Sequence, residues 1–300
     1  MDFVVLDLEW NGAYSRRIKH FLNEIIEIGA VRVDGSLKVL DTFEALVRPQ
    51  VGKKISGKVK TLTSITNEEL ENGLVFMQAV SRFGKWAKDA AVVTWGTSDI
   101  LALIENYSYY GGGDRVPFLS RYADIQAYCE HEARSGGPGR QMGLSAAADL
   151  LGVDESGFDH HRALGDSLLA LRCFQKVYDP GRFAPFLQDA KDDEFYRRME
   201  FKNMAICDLS NPLIHPQDLA FRCDACGHSA RRIGEWQLHN KSFFALFHCS
   251  RCDKKFYGRV QFKLKYEGLA IKKRILPYRE KESEEAKDES SAEEGTREIE

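Results

Sequence analysis

No apolar run in this 300-residue sequence approaches the ~18 residues needed to span a bilayer, and the amino terminus has Asp2 and no basic flank. A soluble, cytoplasmic protein with no membrane partner is therefore expected. Neither glycine cluster, Gly111-Gly112-Gly113 or Gly136-Gly137-Pro138-Gly139, ends in the Lys-Ser/Thr of a phosphate-binding P-loop. The first reads as a turn and the second as a mobile surface loop over 134–140. Cysteine is sparse: of seven, Cys129, Cys173 and Cys207 are scattered and expected as buried thiols. Residues 280–300 are almost without apolar side chains and are expected to be disordered.

What is there is globular in kind. A composition of 43% hydrophobic and 29% charged residues has room for one good-sized domain and one small one. The net charge of −3 hides a strong segregation. Residues 219–279 hold fourteen Lys and Arg against four Asp and Glu, whereas 280–300 hold three against ten. A basic module beside an acidic domain is the footprint of a chain that grips polyanions.

The first ten residues pose the central question. Met1 to Trp10 is an apolar, β-branched run that ends in two acids, and in a strand Asp7 and Glu9 share one face while Val4, Leu6, Leu8 and Trp10 share the other. Two carboxylates ~4 Å apart repel by roughly 4 kcal/mol at an effective dielectric of ~20, which a bound cation would offset. The plain alternative is a strand end that frays into water.

Further along, residues 11–20 are polar and without period, and a second strand is expected over 25–33. Asp34-Gly35 marks a hairpin turn and 37–47 the return strand, so three antiparallel strands open the chain. Thr66-Asn67-Glu68-Glu69 is a capping box, and Phe76, Ala79, Val80, Phe83, Trp86 and Ala87 keep helical spacing. Ala91 to Thr94 is a buried strand running into a helix through Leu101 and Ile104. Asp99 thus lies just past a strand's carboxyl end, where α/β sheets place ligands. A first-turn acid serving only the helix dipole is the other reading. Residues 122–127 read as a short strand, and Leu144 to Leu151 as a helix closed by Gly152.

Asp159-His160-His161-Arg162-Ala163-Leu164-Gly165-Asp166 leads into an amphipathic run ending at Val177. Helical positions five apart stand ~140° around from each other, so His161 and Asp166 converge only if His161 lies in the loop before the helix. A structural histidine is the alternative. His160 is the rival to His161.

Taken together, Asp7 with Glu9, Asp99, and His161 with Asp166 resemble the three-part signature of the DEDD exonucleases of the histidine subtype. Segment 1–178 resembles the ribonuclease T and DNA polymerase III epsilon group, especially its Eri-type RNA exonuclease branch. Leu62-Thr63-Ser64-Ile65-Thr66 and His161-Arg162-Ala163-Leu164 carry the same likeness, and Trp10 departs from it where many relatives contact the terminal nucleotide. The resemblance implies a ribonuclease H-like mixed sheet flanked by helices and hydrolysis of a strand from its 3′ end to nucleoside 5′-monophosphates. It implies that Asp7, Glu9 and Asp166 bind one Mg²⁺ or Mn²⁺, that Asp7, with Asp99 through water, holds a second, and that His161 is the general base. Single-stranded RNA is favoured over DNA on the family branch alone. A scaffold acting through its second module and a proofreading subunit inside a polymerase complex are the competing readings.

Residues 179–218 read as a helical connector, bounded by Asn211-Pro212 and His215-Pro216. Cys223-x-x-Cys226 and Cys249-x-x-Cys252 then stand 22 residues apart, the spacing of a structural Cys₄ zinc ribbon over 219–279. A redox pair is the alternative, but no thioredoxin-like βαβ pattern surrounds them. Its cations interleave with Trp236, Phe243, Phe244, Phe256, Tyr257 and Tyr266, side chains suited to base stacking or to a small core. A single-strand grip is expected of this module, with a protein partner as the alternative.

Overall fold

The computed structural model describes residues 1–133, 141–159 and 161–278. The glycine-rich loop at 134–140, His160 and the acidic tail lie outside the described residues. The chain divides after Glu200 into two compact units.

The first unit opens with β1 (Phe3–Ser15), β2 (His20–Val33) and β3 (Val39–Leu46), an antiparallel meander. Helices α1 (Gly57–Thr63), α2 (Asn67–Glu71) and α3 (Phe76–Ala87) follow, α2 carrying the expected Thr66 to Glu69 capping box. Next come β4 (Ala91–Thr94), α4 (Ser98–Tyr109), β5 (Arg121–Asp124), α5 (Ile125–Glu132), α6 (Leu144–Leu151) and α7 (Ala163–Val177). The unit closes with α8 (Pro180–Phe183), β6 (Gln188–Asp189) and α9 (Asp193–Glu200). Its sheet runs β3-β2-β1-β4-β5-β6, with β1, β4 and β5 parallel and the outer strands antiparallel to their neighbours. This is the mixed ribonuclease H-like sheet that the resemblance implies.

Apolar cores fill both sides of β1. Val4, Leu6 and Leu8 pack with α3 and α4, while Phe3 and Val5 pack with α5 and α7. The acidic middle of β1 is therefore a continuation of a buried face: the row Phe3, Val5 turns into Asp7, Glu9.

Several features differ from the sequence expectation. The polar stretch after Trp10 is strand, because β1 and β2 continue as a ladder to the Ser15–His20 pair. Side chains still alternate there, Asn11, Ala13 and Ser15 buried and Gly12 and Tyr14 exposed, but two of the inward three are polar, so hydropathy shows no period. The strand expected at 122–127 ends at Asp124, whose carboxylate accepts from the Ala127 amide and caps α5. Cys207 is exposed, whereas Cys129 and Cys173 are buried as expected.

The segment expected as connector 179–218 is shared between the units. Phe183 is buried against Phe3 and Tyr128, and β6 extends the first sheet beside β5. In the second unit β7 (Met204–Ile206) pairs with the long strand β12 (Lys254–Lys265). The unit also contains β8 (Phe221–Arg222), β9 (Ser229–Arg232), β10 (Gln237–His239), β11 (Ser242–Cys249) and β13 (Gly268–Pro277). Their order is β13-β12-β11-β9-β8, with β10 beside β11.

Candidate active site and cysteine cluster

Asp7 and Glu9 leave the buried half of β1 on the face turned toward α7. Two glycines allow α7 to come that close. A Cβ on Gly29, the residue paired with Asp7, would lie 2.1 Å from the Ala163 backbone, so the first turn of α7 rests directly on β2. Ser167 Oγ donates to the Gly29 carbonyl at 2.9 Å and fixes that contact. A Cβ on Gly165 would lie 2.2 Å from the Asp159 carbonyl oxygen, so the chain before α7 folds back over the helix.

That fold-back carries His161. The residue has φ 60°, in the left-handed region where histidine is among the more tolerant side chains, and its amide donates to Asp166 Oδ2 at 3.1 Å. It lies in the loop before α7, as its offset from Asp166 demands, and nitrogen and carboxylate atoms of Glu9, His161 and Asp166 lie within 4.8 Å of one another.

Asp99 reaches the same place from the other side. The β1 to β4 ladder ends at Val5 and Val93, so the Leu8 amide lacks a strand partner, and Asp99 Oδ1 accepts from it at 3.1 Å. The residue is in the first turn of α4, which has no side-chain cap bond from Thr97. Asp124 holds the preceding loop by accepting from the amide of Gly96, which has φ +81°.

The structure thus brings Asp7, Glu9, Asp99, His161 and Asp166 together. A cleft of about 480 Å³ opens onto three of them, lined by Asp7, His161 and Asp166 on one side and by Trp95 and the first turn of α6 on another. Burial raises the Asp7 carboxyl well above its ordinary range, and the charges of Asp99, Asp166 and Glu9 push it further. Burial and the charge of Asp166 lift Glu9 to about 8. Asp99 rises to about 7 through burial, the Asp166 charge adding to it, although the Leu8 amide opposes the shift. Carboxylates held this far from their ordinary ionisation are short of positive charge. Hard divalent cations, which favour oxygen ligands, fit this donor set.

One residue central to this geometry carries no signal in the sequence. Glu27 stands directly across from Glu9 in the ladder and is fully buried. Its carboxylate accepts from Arg162 Nε at 2.9 Å and Nη2 at 2.5 Å, and from the Ala163 amide at 2.9 Å. The Arg162 guanidinium is so engaged, bridging also to Glu44, and only slightly offsets the repulsion on Glu9. In the run Ile25 to Val33, Glu27 reads as an ordinary polar strand position; its partner lies 135 residues away.

The profile of the exonuclease family of the ribonuclease T type matches residues 4–174. The chain belongs to that family. As an exonuclease it is similar to the probable 3′–5′ exonuclease KapD of Bacillus subtilis, 28% identical over 180 residues, 58% of this chain and 83% of KapD. It is also similar to the PolC-type DNA polymerase III of Thermotoga maritima, 29% identical over 177 residues, which are 59% of this chain but 12% of the polymerase. In fold it matches the nuclease domain of 3′hExo, a DEDDh member solved with rAMP, with a TM-score of 0.50 and 23% identity over 58% of this chain and 90% of that one. The exonuclease domain is thus a 3′–5′ phosphodiester hydrolase by family, and its shared segment ends before the second unit.

In that second unit Cys223, Cys226, Cys249 and Cys252 converge, with Sγ separations of 3.5 Å for 223 to 252 and for 226 to 249, and 3.7 Å for 226 to 252. A tetrahedron with Zn–S bonds of ~2.3 Å has edges of ~3.8 Å, so the cluster has the dimensions of a structural zinc site. The sheet around it is consistent with a zinc ribbon. Of the aromatics expected to stack on bases, Phe243 and Phe256 are buried in the ribbon's core and Trp236 packs against it. Phe244, Tyr257 and Tyr266 remain partly or largely exposed.

Proposed function

We propose that this exonuclease removes nucleoside 5′-monophosphates from the 3′ end of single-stranded nucleic acid, RNA in preference to DNA, with the ribbon gripping the strand. The observation that carries the reading is the convergence of four carboxylates and one imidazole, from β1, α4 and both sides of the start of α7, with Asp7, Asp166 and His161 lining one open cleft and Glu9 and Asp99 beside them. The preference for RNA rests on the likeness of motifs to the Eri-type branch.

Asp7, Glu9 and Asp166 are the residues to hold one Mg²⁺ or Mn²⁺, and Asp7 with Asp99 a second. Bound there, such ions would supply Lewis-acid polarisation of the terminal phosphodiester and a more acidic attacking water. His161, solvent-exposed beside Glu9 and Asp166, is placed to take that water's proton onto its imidazole. Asp166 orients it by accepting from its backbone amide. Trp95, whose Nε1 donates to the Met142 carbonyl, and Leu144 form an apolar wall for the terminal nucleoside. The four clustered thiols, with a single structural Zn²⁺, fit a reducing, cytoplasmic setting.

The test is direct. Purified protein is given 5′-labelled single strands of RNA and of DNA, with Mg²⁺, without it, and as the Asp166→Asn variant. A ladder shortening from the 3′ end, lost in both controls and faster on RNA, is expected. Binding without shortening in Mg²⁺ or Mn²⁺ would overturn the reading in favour of a scaffold that acts through the ribbon.

A further inference from the structure

The ribbon's sheet gathers most of its cations on one face. The three strands β11, β12 and β13 contain no Asp or Glu, and of the eight Lys and Arg on β12 and β13 six (Lys255, Arg259, Lys263, Lys265, Lys272 and Arg274) fall on one row, Lys254 and Lys273 on the other. Along β12 the buried row Phe256, Gly258, Val260, Phe262 faces the core, and the alternate row Lys255, Tyr257, Arg259, Gln261, Lys263 faces out.

The pairing register sets the outward rows across the sheet. Arg259 lies between Phe244 on β11 and Arg274 on β13, and Gln261 is paired with Lys272. Two arginines directly opposite in an antiparallel ladder repel, a placement that costs stability in the free protein. Arg259 is nonetheless held in place, its Nη2 donating to the buried Ser242 hydroxyl at 3.1 Å and its guanidinium 5.5 Å from the Phe244 ring centre. Arg259, Gln261, Lys272 and Arg274 line a small concavity of about 140 Å³, several times the ~30 Å³ share of a water molecule. Tyr257 stands beside it on the same face, one row along, and packs against Tyr278 at 5.8 Å.

We infer that this outward face is a phosphate-backbone site for single-stranded nucleic acid, seated on Arg259, Lys272 and Arg274 with Phe244 and Tyr257 as stacking platforms. The inference rests on the nucleic-acid reading above and assigns it to one face and five residues. Opposed arginines are relieved by a bridging anion, a planar guanidinium binds phosphate in bidentate fashion, and exposed rings accept bases of any identity. The result is an affinity without sequence preference that falls with salt.

The test uses the full chain carrying Asp166→Asn, so that strands survive, and follows anisotropy of labelled oligo(U) and oligo(dT) across a salt series. Arg259→Gln with Arg274→Gln should weaken binding by roughly 10-fold near physiological salt and flatten the log-log salt slope by about 1.4, at ~0.7 per lost phosphate contact. Lys272→Gln alone should flatten it by about 0.7, which keeps the test decisive if the double variant loses its fold. Arg222→Gln, on β8 away from this face, should change neither. Unchanged affinity and slope in the Arg259 and Lys272 variants would overturn the assignment and turn attention to an acidic protein surface as the occupant. Cleavage of a nitrophenyl ester of a single nucleotide by the parent protein reports the catalytic reading separately. A parent that cleaves the ester while its variants bind strands normally sinks this inference alone.

Discussion

Asp7 shows how far a single side chain can be from comfort. It sits on a row that begins as core, is itself half-buried, and has the carboxylates of Asp99, Asp166, Glu9 and Glu27 pressing on it. Its neighbour Glu9 is raised to about 8 from an ordinary 4.5, and Asp99 to about 7 from 3.8. A folded state that holds protons more tightly than the unfolded chain is stabilised at low pH and loses that contribution as pH rises through the folded values. In Mg²⁺-free buffer the melting temperature of the exonuclease unit should therefore fall between about pH 5 and pH 8, measured by calorimetry. Added Mg²⁺ or Mn²⁺ should raise it more at pH 8 than at pH 6, because ions displace the retained protons. A melting temperature that is flat across this range would contradict the shared carboxylate site.

The same crowding makes Asp7→Asn instructive. Replacing one acid removes repulsion without changing size, so the metal-free protein should gain stability while strand hydrolysis drops by at least ~10³. Thermal melts and single-turnover assays on one preparation would read both. Loss of activity together with lower stability would instead mark Asp7 as a structural acid.

At the scale of elements, the site depends on how α7 sits on β2. Gly29 and Gly165 permit the approach, and the Glu27 to Arg162 pair pins the turn that carries His161. Arg162→Met would leave Glu27 charged and buried without its partner, at a cost of roughly 3 kcal/mol measured by urea unfolding. Glu27→Gln should be milder in stability yet lower kcat, since the Ala163 amide and Arg162 lose the carboxylate that aligns them. Its KM should stay near the parent value, a split that a merely weakened core would not produce. Gly29→Ala drives a methyl group into the Ala163 backbone and should both unfold the unit more readily and abolish turnover.

For the molecule as a whole, the two units have separate cores. The ribbon's core of Phe221, Phe243, Phe247, Phe256 and Phe262 includes Cys223 and Cys249 of the Cys₄ cluster. A bound zinc there is expected to contribute much of that unit's stability. Cys249→Ser should reduce zinc to well under one per chain by atomic absorption and melt the ribbon as a separate transition. Turnover of a single-nucleotide ester by the first unit should survive, while capture of long strands is lost. Loss of both together would mean that the first unit depends on the ribbon for its fold.

The sequence by itself determined the parts that depend on local chemistry. Alternation put Asp7 and Glu9 on one face, the capping box started α2, the five-residue offset required His161 to precede α7, and two Cys-x-x-Cys knuckles predicted the thiol cluster. The first three are settled by spacing and backbone period within a few residues, the last by two short motifs 22 residues apart. The tertiary structure decided what hangs on contacts between distant segments. Glu27 looks like any polar strand residue until Arg162 arrives from 135 positions away, and Gly29 is unremarked until a helix rests on it. The ladder beyond Trp10 is held by inter-strand pairing that side-chain pattern does not encode. Of the ribbon's aromatics, only the register of β11 against β12 separates Phe243 and Phe256, turned inward, from Phe244 and Tyr257, turned out. Strand pairing and helix docking are non-local, and a one-residue change in register exchanges core for surface.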